Sequence, residues 1–435
     1  MRLHIRSVER PPTWRAEPYT LSYLLVGREV TADELIDLLQ WAVDSNMPNP
    51  RVVTPDLIRW SSLFHPRFFN SLRNAGPQTV EPMTWSEPAL PTNLRALSRL
   101  WLQSVLFLSG VTLSAAIVQR RFSAGTIESK LDRLWDAGSL ASSGVAPELS
   151  ALSLHDRVAG LASECADDTT RLLAIRETFM KVLELIAPEE GSMETMQRSA
   201  PPVQYDDGRF GFVEMLRKKI GDGLRSVIVY GSSLSSEQFA DIDALLVVDD
   251  PVSALLGLAG TSPVWQGKEL NIGIYSPREM LVMQRLSGDN LSDYGVCLWG
   301  EACVVRKPLP ALLARNFSFG VVRQRQQLGM LSRLLAAAND SAKPDRRNLY
   351  EYFVKIPANV AKGTFGAVGN RLAKEEVHTW LVSETGFDTT GSQERAADGE
   401  VAEALASSAL ATGRTLSALD STLGVVRPHC LSINT

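Results

Sequence analysis

The stretch from Val227 to Asp250, VIVYGSSLSSEQFADIDALLVVDD, constrains this chain more than any other. The β-branched run SVIVY, ending at Tyr230, reads as a buried strand and leads directly into Gly231-Ser232-Ser233. Eight residues separate Ser232 from Asp241, where Asp241-Ile242-Asp243 opens a second apolar strand. Gly231 has no Cβ, so the backbone there can approach a ligand closely. The amides that follow, with the hydroxyls of Ser232 and Ser233, can donate to phosphate oxygens as a small anion-binding nest. Asp241 and Asp243 are two apart on a strand and project from one face, while Ile242 points into the core. Two carboxylates so placed can hold Mg²⁺, a hard cation that takes oxygen ligands and keeps water and substrate phosphates. Metal and nest side by side are what transfer from a nucleoside triphosphate requires. Without that chemistry, the same residues are a polar turn and two solvated acids at the mouth of a strand.

An apolar strand, Gly-Ser, a short gap and Asp-x-Asp on the next strand resembles the DNA polymerase β-like nucleotidyltransferase superfamily. The compact spacing is similar to that of its small bacterial members. The resemblance spans about residues 207–309 and neither flank. It implies that Gly231, Ser232 and Ser233 bind the triphosphate and that Asp241 and Asp243 hold two Mg²⁺ ions. The family usually adds a third carboxylate from the following strand, as a metal ligand and to activate the acceptor hydroxyl. The matching position here is Asn271, in Leu270-Asn271-Ile272. An amide ligates metal weakly through its oxygen and cannot act as a base at neutral pH. Glu269, on the same strand face as Asn271, is then the candidate for the catalytic carboxylate.

Two functions of different class follow from this resemblance. One is a Mg²⁺-dependent nucleotidyltransferase that moves a nucleoside monophosphate from a triphosphate to an unidentified acceptor and releases pyrophosphate. The acceptor is a small molecule, a protein side chain or an RNA end. The other is a catalytically weak or inactive nucleotide-binding protein with a regulatory or interaction role. Reach of Glu269 to the metals favours the first, and a site faced only by Asn271 favours the second.

Around this segment the expected architecture is α+β: a mainly helical N-terminal region (1–186), a linker (187–207), a small mixed-sheet nucleotidyltransferase domain (208–309) and a helical C-terminal domain (310–435). Thr31-Ala-Asp-Glu34 is a capping box ahead of a helically spaced apolar run, and Thr54-Pro55 starts a second helix. Further helices are expected at 92–121, 125–137 and 168–187. The span Ser123–Leu140 reads as a helix closed by a glycine cap, in either a plain helical hairpin or the second half of a winged helix. In the central domain the helix RFGFVEMLRKKIGD precedes strands at SVIVY, DALLVVDD and LNIGIY, with a possible fourth at Cys303-Val304-Val305. Asp250-Pro251 and the capping box Ser276-Pro277-Arg278-Glu279 start two more helices. Helices are expected again over 311–338, 346–373 and 398–425.

Net charge of −5 argues against a chain-wide role in coating nucleic acid. Charge is nevertheless uneven. Between Arg306 and Lys362 there are eleven Lys or Arg against Asp340, Asp345 and Glu351. Tyr352, Lys355, Asn359 and Lys362 fall on one helical face interrupted by Pro357, and Lys355 is the candidate phosphate contact; a solvated basic face is the plain alternative. The cysteines, Cys165, Cys297, Cys303 and Cys430, form no C-x-x-C pair, so neither a zinc site nor a disulfide framework is expected. The N-terminus lacks the apolar core of a signal peptide, and a cytoplasmic location follows as the expectation. Trp101–Gln119 carries no charge, but its glutamines, serines and threonine favour a buried helix over a membrane span.

Overall fold

The computed structural model describes residues 3–10, 14, 19–74, 94–120, 122, 124–163, 167–202, 207–237, 239–260, 264–337 and 352–424. In chain order it contains β1 (Leu3–Arg10), β2 (Tyr19–Val26), α1 (Ala32–Asp44), β3 (Arg51–Val53), α2 (Pro55–Phe64), α3 (Pro66–Asn74) and α4 (Leu94–Gly110). There follow α5 (Leu113–Gln119), α6 (Ala124–Ser142), α7 (Leu154–Ser163), α8 (Asp168–Ile186), β4 (Ser192–Met196), α9 (Phe212–Ile220), β5 (Leu224–Tyr230) and β6 (Asp241–Val248). Then come α10 (Pro251–Leu258), β7 (Val264–Trp265), β8 (Lys268–Tyr275), α11 (Pro277–Leu286), β9 (Val296–Gly300), β10 (Ala302–Arg306) and α12 (Leu309–Ala336). The last helices are α13 (Ile356–Ala367), α14 (Lys374–Thr385), α15 (Thr389–Ala397) and α16 (Val401–Leu423). The chain is therefore mixed α+β, predominantly helical.

Two compact units divide the chain: residues 1–104 with 309–435, and residues 105–308. The expected cut at 186 separates the helices of 105–186 from the Asp-x-Asp strand, whereas the structure groups them with it. The reason is packing: α5 lies against β8, and α8 lies against α11. Arg176 of α8, 2% exposed, pairs with Glu279 at 2.8 Å and donates to the Ile274 carbonyl at 2.8 Å. Residues 187–207, expected as a linker, include β4, which pairs antiparallel with β10. Cys303-Val304-Val305 is thus a strand, but it belongs to this two-stranded sheet and not to the central one.

In the first unit, β1 and β2 form an antiparallel pair and β3 joins β2 in parallel, three strands within a region expected to be mainly helical. Its core draws on both chain segments: Trp60 and Phe64 of α2 meet Phe317 of α12 with ring centroids 5.4 and 5.9 Å apart. The capping box at Thr31–Glu34 and the Thr54–Pro55 start are formed as expected. Pro357 sits in the first turn of α13, which begins after helical residues 352–354 and a break at Lys355, its N-cap.

In the second unit, a five-stranded mixed sheet has the order β7-β8-β6-β5-β9. β5 runs antiparallel to β6, and β6 runs parallel to β8 through the crossover helix α10. Val227, Ile228, Val229, Ile242, Ala244, Leu270, Ile272 and Ile274 are buried in its core. The caps at Asp250 and at Ser276–Glu279 are formed. The expected glycine cap at Gly138 is not: α6 runs through it to Ser142, and the His155 ring packs where a Cβ would be. From α6 to α8 the described residues include no strand of the kind a winged helix would need.

Leu94–Gln119 is long and apolar enough to cross a membrane by length and composition, and 56% of its most apolar window is buried. The chain folds it as two helices, α4 and α5, broken at Val111–Thr112.

Candidate functional site

Antiparallel pairing of β5 and β6 brings the Gly-Ser turn beside the Asp-x-Asp pair. Tyr230 stands in register with Asp243, so Gly231 leaves the sheet directly next to that carboxylate. Gly231 has φ +85° and ψ −163°, a backbone region that only glycine occupies readily. A Cβ built on it would lie 2.8 Å from Asp243 Oδ2. Conformation and clearance both require glycine here. A single 3-10 turn over Ser232–Leu234 follows. Ser232 is exposed, whereas Ser233 is fully buried and its hydroxyl meets no hydrogen-bond partner. Of the two hydroxyls expected to face phosphate, only that of Ser232 is open to solvent.

Asp241 and Asp243 share one face of β6, half-buried, with Ile242 between them in the core. Parallel pairing sets Glu269 opposite Asp241 and Asn271 opposite Asp243. The Asn271 side chain bridges the acids, its Nδ2 donating to Asp241 Oδ2 at 2.7 Å and to Asp243 Oδ1 at 3.4 Å. The atom Asn271 turns toward the pair is therefore its nitrogen, a donor, and not the oxygen that a cation needs. Among the described residues, no three side chains of His, Cys, Asp or Glu gather into a group that could hold a metal ion. The donor set is thus two carboxylates braced by an amide.

Three residues of the site carry no functional signal in the sequence pattern. Tyr230 faces Asp243, with the Tyr294 ring 5.9 Å away. Burial, reinforced by the Asp243 charge, pushes its phenol well above the ordinary range, so it stays a neutral hydroxyl. Arg209, 2% exposed, pairs with Asp207 at 2.6 Å and donates to the carbonyls of Ser233 (3.0 Å) and Ser236 (2.7 Å). It thereby anchors the loop between the turn and Asp241. Gln119, at the end of α5, donates to Asn271 Oδ1 at 3.2 Å. Gln119 lies more than a hundred residues before the motif, where no local spacing could have singled it out.

Lys355 belongs to the other compact unit and is exposed, as are Tyr352, Asn359 and Lys362. The basic run around it is not one open face. Arg306 pairs with Glu194 and Asp293, and Lys307 is buried against the Asp289 carbonyl and the Ser287 hydroxyl. Arg315 is buried beside Gln103, Arg323 donates to the Tyr352 hydroxyl, and Arg325 lies 4.0 Å over Phe68. Lys343, Arg346 and Arg347 lie outside the described residues, as do Cys165 and Cys430. Cys297 and Cys303 are free thiols.

A separate cleft of about 500 Å³ opens beside β9, where the Arg217 guanidinium lies 3.5 Å from the centre of the Trp299 ring. Register pairs Trp299 with Val227, on the sheet face opposite Tyr230 and the carboxylates. The chain matches no model of a known protein family, no curated protein and no solved structure.

Proposed function

We propose that the second unit carries a nucleotidyltransferase-type site that binds a nucleoside triphosphate with Mg²⁺ at the Gly231–Ser232 turn and the Asp241/Asp243 pair. The observation that carries this reading is the approach of Gly231 to Asp243, with backbone and carboxylate only a Cβ's clearance apart. A triphosphate lying over the glycine would have its oxygens next to the carboxylates, where a shared cation neutralises both. Two carboxylates completed by triphosphate oxygens and water suit Mg²⁺, of which the resemblance implies two ions. When bound, the ion supplies charge neutralisation at the transferring phosphoryl group.

In the reaction, an acceptor oxygen forms a bond to the α-phosphorus, the bond from that phosphorus to the bridging oxygen breaks, and pyrophosphate leaves with the electron pair. Ser232 and the turn amides hold the β- and γ-phosphates. Glu269, in register with Asp241, is the carboxylate assigned here to take the acceptor's proton. The acceptor is a small molecule, a protein side chain or an RNA end. A cytoplasmic location accords with the free Cys297 and Cys303.

One observation favours a second reading, nucleotide binding without turnover in a regulatory protein. Asn271 meets the acids with a donor where a third carboxylate would add charge and basicity.

Calorimetric titration with ATP, CTP, GTP and UTP, with and without Mg²⁺, tests the site. Mg²⁺-dependent binding is expected in the wild type and is lost in D241A/D243A. Pyrophosphate release on addition of acceptors then separates transfer from binding alone. No binding of any nucleotide by folded wild-type protein overturns both readings.

A further inference from the structure

The hydrogen bonds of Asn271 form a chain that begins outside the motif. Carboxylates only accept, so the Asn271 atom 2.7 Å from Asp241 Oδ2 must be its NH₂. This orientation follows from the network and not from an arbitrary choice between oxygen and nitrogen. The amide oxygen is then directed away from the acids, where only a donor can satisfy it, and Gln119 Nε2 stands there at 3.2 Å.

The helix carrying Gln119 is held firmly. Leu113, Ile117 and Val118 of α5 are buried. Ser114 Oγ donates to the Ile274 carbonyl of β8 at 3.4 Å. The Val118 carbonyl accepts from Gly260 N at 2.9 Å, which ties the end of α5 to the residues after α10. Arg120 closes the helix in a left-handed conformation, φ +49°. Gln119 is therefore presented from a fixed backbone to a side chain on a central strand.

We propose that Gln119 is a positioning residue of the metal–nucleotide site, holding the Asn271 amide so that its nitrogen braces Asp241 and Asp243. The proposal rests on the nucleotide-binding reading above. Without a cation, the two negative carboxylates alone turn the Asn271 nitrogen toward them. With a cation between them, the Asn271 oxygen becomes attractive too, and the donor behind that oxygen decides the orientation. Held as it is, Asn271 donates to one oxygen of each carboxylate and fixes how the two are turned toward each other. Gln119 and Asn271 thus form an outer shell that sets the spacing and aim of the two ligands before any ion arrives.

The test is a double-mutant cycle read in Mg²⁺–ATP affinity by calorimetry, with melting temperature recorded for each variant. Q119M and N271L are each expected to weaken binding by about 10-fold, the lower end of what loss of an outer-shell partner costs a metal site. The double variant is expected to bind no worse than N271L, because Gln119 then has nothing to hold. Losses that multiply in the double variant overturn the proposal, as does Q119M binding like wild type. If Q119M does not fold, side-chain amide signals of ¹⁵N-asparagine-labelled wild type replace it. The Asn271 pair, assigned by its loss in N271L, is expected to shift in D241A/D243A, and no shift overturns the proposal. A folded wild type that binds no Mg²⁺–ATP removes the site itself and the proposal with it; binding that D241A/D243A abolishes, but that shows no Gln119–Asn271 coupling, removes the proposal alone.

Discussion

The interface between α12 and α16 and the end of the β6/β8 pair both place polar side chains among apolar ones, to opposite effect. In the helical interface, Gln327 is fully buried, donates to the Phe353 carbonyl (2.9 Å) and Ser408 Oγ (2.8 Å), and accepts from Thr412 Oγ1 (2.9 Å). Its donor and acceptor are both used inside the protein, and nothing is left to offer a ligand. At the strand ends, two like charges lie on one face, half-buried, with a single amide between them. Close carboxylates repel, and the fold keeps them together at a half-open strand mouth. Internal satisfaction in a sealed interface marks structural polarity; paired acids held half-open to solvent are the contrast.

Substitutions in the two regions can break or sharpen that contrast. Gly231→Val is expected to act most strongly. It forces a branched residue into a glycine-only conformation against Asp243, at about 3 kcal/mol in strain. Both urea stability and Mg²⁺–ATP binding should fall, and normal binding would mean that the turn does not touch the nucleotide. Arg209→Leu removes the anchor of the Ser233–Ser236 loop, for about 2 kcal/mol of stability. Nucleotide affinity should drop more than the melting temperature alone would imply. Gln327→Leu leaves several buried partners unsatisfied and should cost about 1–2 kcal/mol with Mg²⁺–ATP affinity unchanged. Weakened nucleotide binding there would break the distinction between the regions.

The smallest effect is expected at Asp56 of α2, whose carboxyl burial pushes above its ordinary 3.8, against a hydrogen bond from Ser417. The folded state holds that proton more tightly than the unfolded chain. The carboxyl therefore favours folding most below its unfolded pKa, and that advantage is lost as pH rises through the raised folded value. Asp56→Asn should flatten the stability profile across that window. At neutral pH it should leave the protein equally stable, or more stable by less than about 1 kcal/mol, in urea unfolding.

Local signals were legible in the sequence and distant ones were not. The caps at Thr31, Thr54, Asp250 and Ser276 depend on residues within one helical turn, and each is formed. The strands carrying Tyr230, Asp243 and Asn271 were marked by composition, and their pairing placed the glycine beside the carboxylate. β1 and β2 were missed because a strand is stabilised by its partner and β1 has few apolar residues of its own. Gly138 looked like a helix end, yet its missing side chain makes room for His155 from α7, a contact that no local pattern records. The basic run from Arg306 looked uniform, but aromatic rings and buried carbonyls take up several of its charges. Gln119 illustrates the same limit at the site itself.

The division of the chain at Ser104 and Pro308 has a consequence for biosynthesis. Residues 1–104 leave the ribosome before residues 105–308, but the aromatic cluster of Trp60 and Phe64 is completed by Phe317, which emerges more than two hundred residues later. The intervening unit has its whole sheet in hand before that. During synthesis, the unit that carries the Asp-x-Asp strand can close its core while the unit begun earlier still waits for its second half.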